Sequence, residues 1–166
     1  MSFDPDSDPI PHGLTQLSIP TVHAFQNRVS LFKYLSPVEC RVMAELTERR
    51  SYADGEVIQR EGEPASGLHI VDKGEVEVSQ RDFMGRDKLV TTIIAQEHFG
   101  ETSILSNPIA TATVTARGPV EVLVMSQTVF TNLLHRSESF GVRLLRALCE
   151  DLSNRLREAR EQLVRS

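Results

Sequence analysis

Short runs of alternating apolar and polar residues, separated by glycines, occupy the chain from residue 52 to residue 125. In Glu75-Val-Glu-Val78 every second side chain is apolar, which is typical of a strand with one buried face. Asp72-Lys73-Gly74 before it is typical of a tight turn, and Arg117-Gly118-Pro119 predicts another turn further along. About eight short strands fit into this region. The pattern therefore predicts a small antiparallel sandwich or barrel.

Helical periodicity precedes the strand region. Apolar residues after Thr21, a candidate N-cap, form one stripe that ends near Tyr34, at Val22, Phe25, Val29 and Phe32. Ser36-Pro-Val-Glu39 combines a capping serine, a proline at the first helical position and a glutamate three residues after the cap. This motif predicts a second helix that runs to about Arg49. Residues 1–20 hold four of the eight prolines among Asp and Ser, so we expect a disordered tail.

A long helix is predicted at the C-terminal end, over residues 137–164, after a short helix from Ser126 to His135. Its apolar residues recur at alternating spacings of three and four, which is typical of a coiled-coil seam. The seam residues are Val142, Leu145, Cys149, Leu152, Leu156, Ala159 and Leu163. We expect a homodimer through this helix. In a parallel pair Arg155 and Arg160 would face each other as like charges, so an antiparallel pair or a different partner helix stays open.

Bulk composition excludes several classes of protein. The formal net charge of −5 argues against general nucleic-acid binding, because Lys and Arg supply the affinity for phosphates. No apolar run approaches the length of a membrane span, and no signal peptide is recognisable, so we expect a cytoplasmic protein without membrane attachment. Cys40 and Cys149 are too far apart for a disulfide framework and are expected to be reduced and buried.

Several motifs in order resemble the cyclic-nucleotide-binding fold shared by the catabolite activator family, protein kinase A regulatory subunits and cyclic-nucleotide-gated channels. They are Leu31-Phe-Lys-Tyr-Leu-Ser36, Gly55-Glu-Val-Ile-Gln-Arg-Glu-Gly62, Leu68-His-Ile-Val-Asp-Lys-Gly74, and Phe99-Gly-Glu101 followed by a Thr-Ala-Thr-Val strand. The resemblance covers residues 30 to 160. It implies an α+β fold, an eight-stranded antiparallel β-roll (jelly roll) flanked by N-terminal helices and a long C-terminal dimerisation helix. The expected divisions are a tail (1–20), the lead-in and β-roll (21–136) and the long helix (137–166).

The resemblance also implies a ligand site inside the roll. A short helix begins at its Gly-Glu pair, and the first N–H groups of a helix lack internal acceptors and favour anions. Glu101 matches the family residue that accepts the ribose 2′-hydroxyl, although an ordinary first-turn acid would also suit the helix dipole. Candidate ligand-binding residues are Gly100, Glu101, Thr102, Ser103, Ala110 and Thr111.

Two residues depart from the family pattern. The family carries an arginine directly before the small hydroxyl residue of the next strand, where its guanidinium pairs with the cyclic phosphate. Here that position is Ala110, followed by Thr111, and Gln96 stands where the family usually has glycine. Arg143 and Arg146 on the long helix are possible substitute donors, although the solvated faces of an amphipathic helix explain them better. We therefore expect weakened binding of cyclic AMP.

The functional expectation is a regulatory or sensor module that acts through a separate effector protein. A cyclic nucleotide is the expected ligand (cyclic AMP, cyclic GMP or a cyclic dinucleotide), with no other cofactor. The alternative is a ligand-free relative that serves as a dimeric scaffold. The chain ends at Ser166, too soon for a recognition helix, so direct DNA binding is not expected. An enzyme is also not expected, because the five histidines show no metal-ligand spacing and no nucleophile motif is recognisable.

Overall fold

The structure is a computed structural model that describes residues 29–166. It divides into two compact units. Residues 44–131 form the unit that contains the strands, and residues 132–166 form the other with the described part of residues 1–43. In chain order the elements are a 3-10 turn at Ser30–Phe32, α1 (Pro37–Leu46), β1 (Glu48–Tyr52), β2 (Val57–Gln59), β3 (Leu68–Arg81), β4 (Asp87–Ile94), β5 (His98–Phe99), α2 (Glu101–Leu105), β6 (Thr113–Met125), α3 (Gln127–Arg136) and α4 (Glu138–Arg165).

All strands of the sheet pair antiparallel. The order is β1-β6-β3-β4, with β2 also paired to β6 and β5 to β3. The alternation predicted for the Glu75-Val-Glu-Val78 run is confirmed, because Val76 is buried and Val78 packs against the same core. This core consists mainly of β-branched residues, which suit a pleated surface, at Val71, Val76, Ile93, Val114, Val120, Val122 and Val124. The α+β class and the antiparallel sheet are thus confirmed.

The predicted number of strands is too high. Residues 29–166 form six strands rather than eight, because two predicted turns lie inside long strands. The Asp72–Gly74 segment lies within β3, and the Arg117–Pro119 segment lies within β6. The pairing of β3 with β6 shifts register on both sides of Lys73. Bulges of this kind bend a strand while its pairing continues, so the chain changes direction without a break.

The predicted start of α1 is confirmed by reciprocal hydrogen bonds. The Ser36 N–H donates to Glu39 Oε2 at 2.7 Å, and the Glu39 N–H donates to Ser36 Oγ at 3.3 Å. The helix ends at Leu46, earlier than the predicted Arg49, because Glu48 already pairs with Val124 in the sheet. The helix predicted from Thr21 falls mainly outside the described residues, and a 3-10 turn occupies Ser30–Phe32 near its predicted end.

Helix α4 packs against the 3-10 turn in its own unit. Its buried residues are Phe140, Gly141, Leu144, Ala147 and Leu148, none of which belongs to the predicted seam. Nearby, the Arg143 guanidinium donates to the fully buried carboxylate of Glu39. Cys149 is exposed, so the prediction that it is buried is wrong, whereas Cys40 is buried as predicted. The first half of α4 therefore anchors the helix. Of the seam residues, Leu145 and Leu152 are half-buried and the other five are exposed.

Gln96 adopts the left-handed backbone conformation, with φ of 80°. This conformation costs a residue with a Cβ about 1–2 kcal/mol, whereas glycine tolerates it at a smaller entropic cost. We expect Gln96→Gly to stabilise the protein by about 1 kcal/mol. Urea unfolding measures this change, and Gln96→Ala is the control that keeps the Cβ at this exposed position. Equal unfolding midpoints for the Gly and Ala variants would contradict the explanation.

Candidate functional site

Helix α2 begins at Gly100, as the sequence predicts. Gly100 caps the helix with φ of 83°, in the left-handed region. A Cβ at this position would overlap the carbonyl oxygen of Gly67, so both the conformation and the space require glycine. Glu101 is half-buried in the first turn. A contact within the chain therefore requires glycine at position 100.

His69 supports this turn from the buried side. Its Nδ1 lies 3.0 Å from the Gly67 carbonyl oxygen, and its Nε2 lies 3.1 Å from Ser66 Oγ. The imidazole also stacks on the Phe99 ring at 4.6 Å between centroids. Burial lowers the pKa of His69 to about 4, so the ring is neutral at physiological pH. The sequence analysis assigned no role to His69 beyond counting it among the five histidines without metal-ligand spacing, although its place in an apolar strand indicated that it points inward.

The two hydroxyl residues of α2 have different surroundings. Ser103 is buried, its N–H donates to the Gly100 carbonyl at 3.1 Å, and its Oγ donates to the same oxygen at 2.6 Å. The free N–H that the sequence predicts at Ser103 is therefore already used within the turn. Thr102 is half-buried, and its carbonyl accepts the N–H groups of Ser106 and Asn107 at the end of the helix.

Backbone hydrogen bonds to residues 62 and 63 hold the segment that follows α2. The Ala110 N–H donates to the Glu63 carbonyl, and the Ala110 carbonyl accepts the Gly62 N–H, each at 2.9 Å. The Ala110 side chain is buried, whereas Thr111 is exposed and its carbonyl accepts a hydrogen bond from Gln80. This part of the site thus has a defined backbone path, with the methyl group of Ala110 buried beside it.

The sequence in and around α2 has acidic residues but no lysine or arginine. Residues 89–116 contain Glu97 and Glu101 but no Lys or Arg. The sequence suggested Arg143 and Arg146 as substitutes, but the structure pairs Arg143 with Glu39 and Arg146 with Glu150 at 3.2 Å. The Arg146 guanidinium also lies 4.3 Å from the centre of the Tyr34 ring. Both arginines are therefore engaged inside their own unit.

Within residues 29–166, no group of three or more His, Cys, Asp or Glu side chains could hold a metal ion. None of the helices in this part of the chain combines the length and apolar character that a membrane crossing requires.

The family model described as the cyclic nucleotide-binding domain matches residues 49–137, more than half of the chain. The chain belongs to the cyclic nucleotide-binding domain family. This match confirms the resemblance found in the sequence. It spans the whole strand region, α2 and the Ala110 segment, so the cyclic nucleotide-binding domain includes every candidate ligand-binding residue.

Relatives of this domain include regulatory proteins and kinases. The chain is 32% identical over 111 residues to a cAMP-dependent protein kinase regulatory subunit of Blastocladiella emersonii, covering 67% of this chain and 28% of that protein. It is also 32% identical over 111 residues to human cGMP-dependent protein kinase 2, covering 67% of this chain but 14% of the kinase. The Thermus thermophilus catabolite activator protein superposes with a TM-score of 0.72 at 27% identity, over 81% of this chain and 61% of that one.

Proposed function

We propose that this cyclic nucleotide-binding domain is a dimeric regulatory module whose ligand specificity differs from that of relatives with the phosphate-binding arginine. The names of two relatives refer to cyclic AMP and cyclic GMP. The observation that carries the proposal is the combination of an intact α2 turn at Gly100 with a buried alanine at position 110. The backbone of a nucleotide site is kept, and its cation is replaced by a methyl group.

The charge balance indicates what kind of ligand suits this site. A phosphate would meet the N–H groups at the start of α2 that precede Ser103, but no lysine or arginine from residues 89–116, and Glu97 and Glu101 add negative charge. Glu101 can accept hydrogen bonds from ribose or base groups, and the exposed hydroxyl of Thr111 can donate or accept them. Such hydrogen bonds do not require a charged group on the ligand. We therefore infer a ligand recognised more through its neutral polar groups than through its phosphate.

A ligand-free scaffold is the second candidate, favoured by the absence of Lys and Arg from residues 89–116. Thermal unfolding with cyclic AMP, cyclic GMP and cyclic dinucleotides at millimolar concentration separates the two candidates. A ligand at 100 times its dissociation constant adds about 2.7 kcal/mol of stability, which raises the midpoint measurably. If none of these nucleotides moves the midpoint, the scaffold candidate is favoured.

The dimer proposal rests on the exposed side of α4. The seam residues Val142, Leu156 and Leu163 are exposed, and the helix buries none of its residues after Leu148. A helix segment of this length without packing is only marginally stable in water, so its second half needs a partner. The heptad spacing of the uncovered apolar side chains fits a second copy of α4.

Leu152→Lys is expected to dissociate this dimer, because it places two ammonium groups in the centre of the seam. Sedimentation equilibrium of the wild type and the variant measures the change. Val164→Lys, at an exposed position outside the seam, is the matched control and should stay dimeric. A monomeric wild type would end the dimer proposal.

Cys149 distinguishes the two helix orientations. In a parallel pair in register, both Cys149 side chains face each other, within the Cα separation of about 4.4–6.8 Å that a disulfide requires. Mild oxidation should then link the dimer covalently. Cys40 does not interfere, because burial raises the pKa of its thiol to about 12, and Cys40→Ser is the control. A dimer that does not cross-link would favour the antiparallel arrangement.

A further inference from the structure

The β3–β4 hairpin carries an apolar surface that the proposed function does not use. Five large apolar side chains are exposed on it, and we call them the hairpin surface. They are Phe83 (112% exposed) and Met84 (79%) in the turn, and Leu89 (56%), Val90 (56%) and Ile94 (54%) on β4. Contiguous exposed apolar side chains of this kind mark interaction sites in soluble proteins.

The turn that presents Phe83 and Met84 is tightly hydrogen-bonded. Asp82 Oδ1 accepts the N–H groups of Met84 at 2.8 Å and Arg86 at 3.0 Å, and Asp82 Oδ2 accepts from the Arg86 side chain at 3.0 Å. The hydrogen bonds from the Arg86 backbone and side chain lower the pKa of Asp82 more than any other interaction does. Because the turn is held in one shape, little conformational freedom remains to be lost when a partner binds.

The outer edge of β4 is open within the described sheet. Its pairing partner is β3, and β4 is the last strand of the sheet order. Leu89-Val-Thr-Thr-Ile-Ile94 contains no charged residue or proline, although these residues usually protect an edge strand. An open edge with this composition accepts an extended segment through backbone hydrogen bonds.

A second copy of β4 fits this edge poorly. Thr91 and Ile93 lie opposite Val78 and Val76 on the core face, whereas Leu89 lies opposite Ser79 on the outer face. The extra residue, Val90, therefore changes the alternation of side chains partway along the strand. A symmetric antiparallel pairing of β4 with itself therefore keeps like faces opposite each other only over the few residues after Val90, which limits the length of such a pair.

If the turn inserted into a lipid bilayer, the bilayer would cover only part of the hairpin surface. The distance along β4 from Asp87 to Ile94 is about 23 Å, at ~3.3 Å per residue. Interfacial apolar side chains enter a bilayer by roughly 5–10 Å. Insertion of Phe83 and Met84 would thus leave Ile94 in water, whereas an extended protein segment can follow the whole strand.

The local charge indicates what such a segment carries. Lys88 is exposed and follows Asp87, the first residue of β4. None of the carboxylates described in residues 29–166 forms a salt bridge with Lys88, and its charge acts on Asp82 only at longer range, whereas Arg86 is paired with Asp82. We propose that the outer edge of β4 binds an extended segment of a separate protein, with apolar side chains at alternate positions and an acidic residue beside Lys88. The identification of this protein as the effector rests on the proposed function, but the binding edge itself does not.

A synthetic peptide tests the proposal on the full chain. The probe is acetyl-Glu-Val-Thr-Val-Thr-Val-Thr-amide, titrated into the ¹⁵N-labelled protein while amide chemical shifts are recorded. We expect shift changes centred on residues 87–94, and about tenfold weaker binding when alternate peptide amides are methylated or when Lys replaces the Glu. A nucleotide titration followed at residues 100–105 tests the proposed function separately, so the failure of one does not imply the failure of the other.

Matched variants locate the binding surface. Leu89→Lys should weaken peptide binding at least tenfold, whereas Val164→Lys, an equivalent change at an exposed site on α4, should leave it unchanged. Three results would each overturn the proposal. The first is the absence of peptide-dependent shifts in β4. The second is a set of β4 shifts that depend on protein concentration without peptide, which indicates self-association. The third is a blue shift of Phe83→Trp emission with vesicles of phosphatidylcholine and phosphatidylglycerol, which indicates lipid insertion.

Discussion

Ala110→Arg is expected to tighten cyclic AMP binding by roughly 30-fold to several thousand-fold. The estimate follows from the ~2–5 kcal/mol lost when one partner of a buried charge pair is removed, at about 1.4 kcal/mol per decade. Arginine suits the site because its guanidinium forms two parallel hydrogen bonds to phosphate oxygens. The Ala110 backbone is already fixed between Gly62 and Glu63, so the new side chain starts from a defined position.

Calorimetric titration of the variant and the wild type with cyclic AMP measures this gain. The Ala110 side chain is buried, so an unpaired guanidinium should also lower the unfolding temperature of the ligand-free variant. Ala110→Met is the control, because it adds similar bulk without charge and should not bind more tightly. Equal affinities for the Arg and Met variants would show that the missing charge does not limit binding.

Arg143→Met is expected to destabilise the protein by about 3 kcal/mol, because it leaves a buried carboxylate without its cation. The Glu39 side chain is 0% exposed and the Arg143 side chain 35% exposed. The same carboxylate accepts the Ser36 N–H, so its position is fixed by α1 and it cannot turn toward solvent easily. Urea unfolding followed by circular dichroism measures the loss.

The matched control for this prediction lies on the same helix. Arg146→Met removes an exposed i, i+4 ion pair with Glu150 and should cost less than about 1 kcal/mol. The double variant Glu39→Gln, Arg143→Met should recover much of the loss, because the buried charge is then absent. Similar unfolding midpoints for Arg143→Met and Arg146→Met would contradict the role given to the buried pair.

Local patterns were sufficient for the elements that form from neighbouring residues. Ser36 and Glu39 are three residues apart, and their reciprocal hydrogen bonds follow from that spacing. Gly100 starts α2 because a left-handed cap needs glycine, and the sequence shows that glycine directly. Alternation likewise predicted the inward face of the Val76 strand.

The same local patterns misplaced features that depend on distant parts of the chain. Gly74 suggested a turn, but the pairing of β3 with β6 continues past it through bulges. The seam position of Cys149 suggested burial, yet the chain covers the neighbouring face of α4. The Ser103 N–H was expected to face a ligand, but the left-handed cap turns the Gly100 carbonyl toward it.

The sequence by itself determined the fold class and the family, because periodicity, capping spacing and residue identity act over a few positions. The tertiary structure alone decided which charged and polar side chains contact each other. The Arg143–Glu39 pair joins residues 104 positions apart, and His69 supports Gly100 through a ring stacked on Phe99. Such contacts form only when packing brings separate elements together, since burial and hydrogen bonding depend on distance in space rather than on distance along the chain.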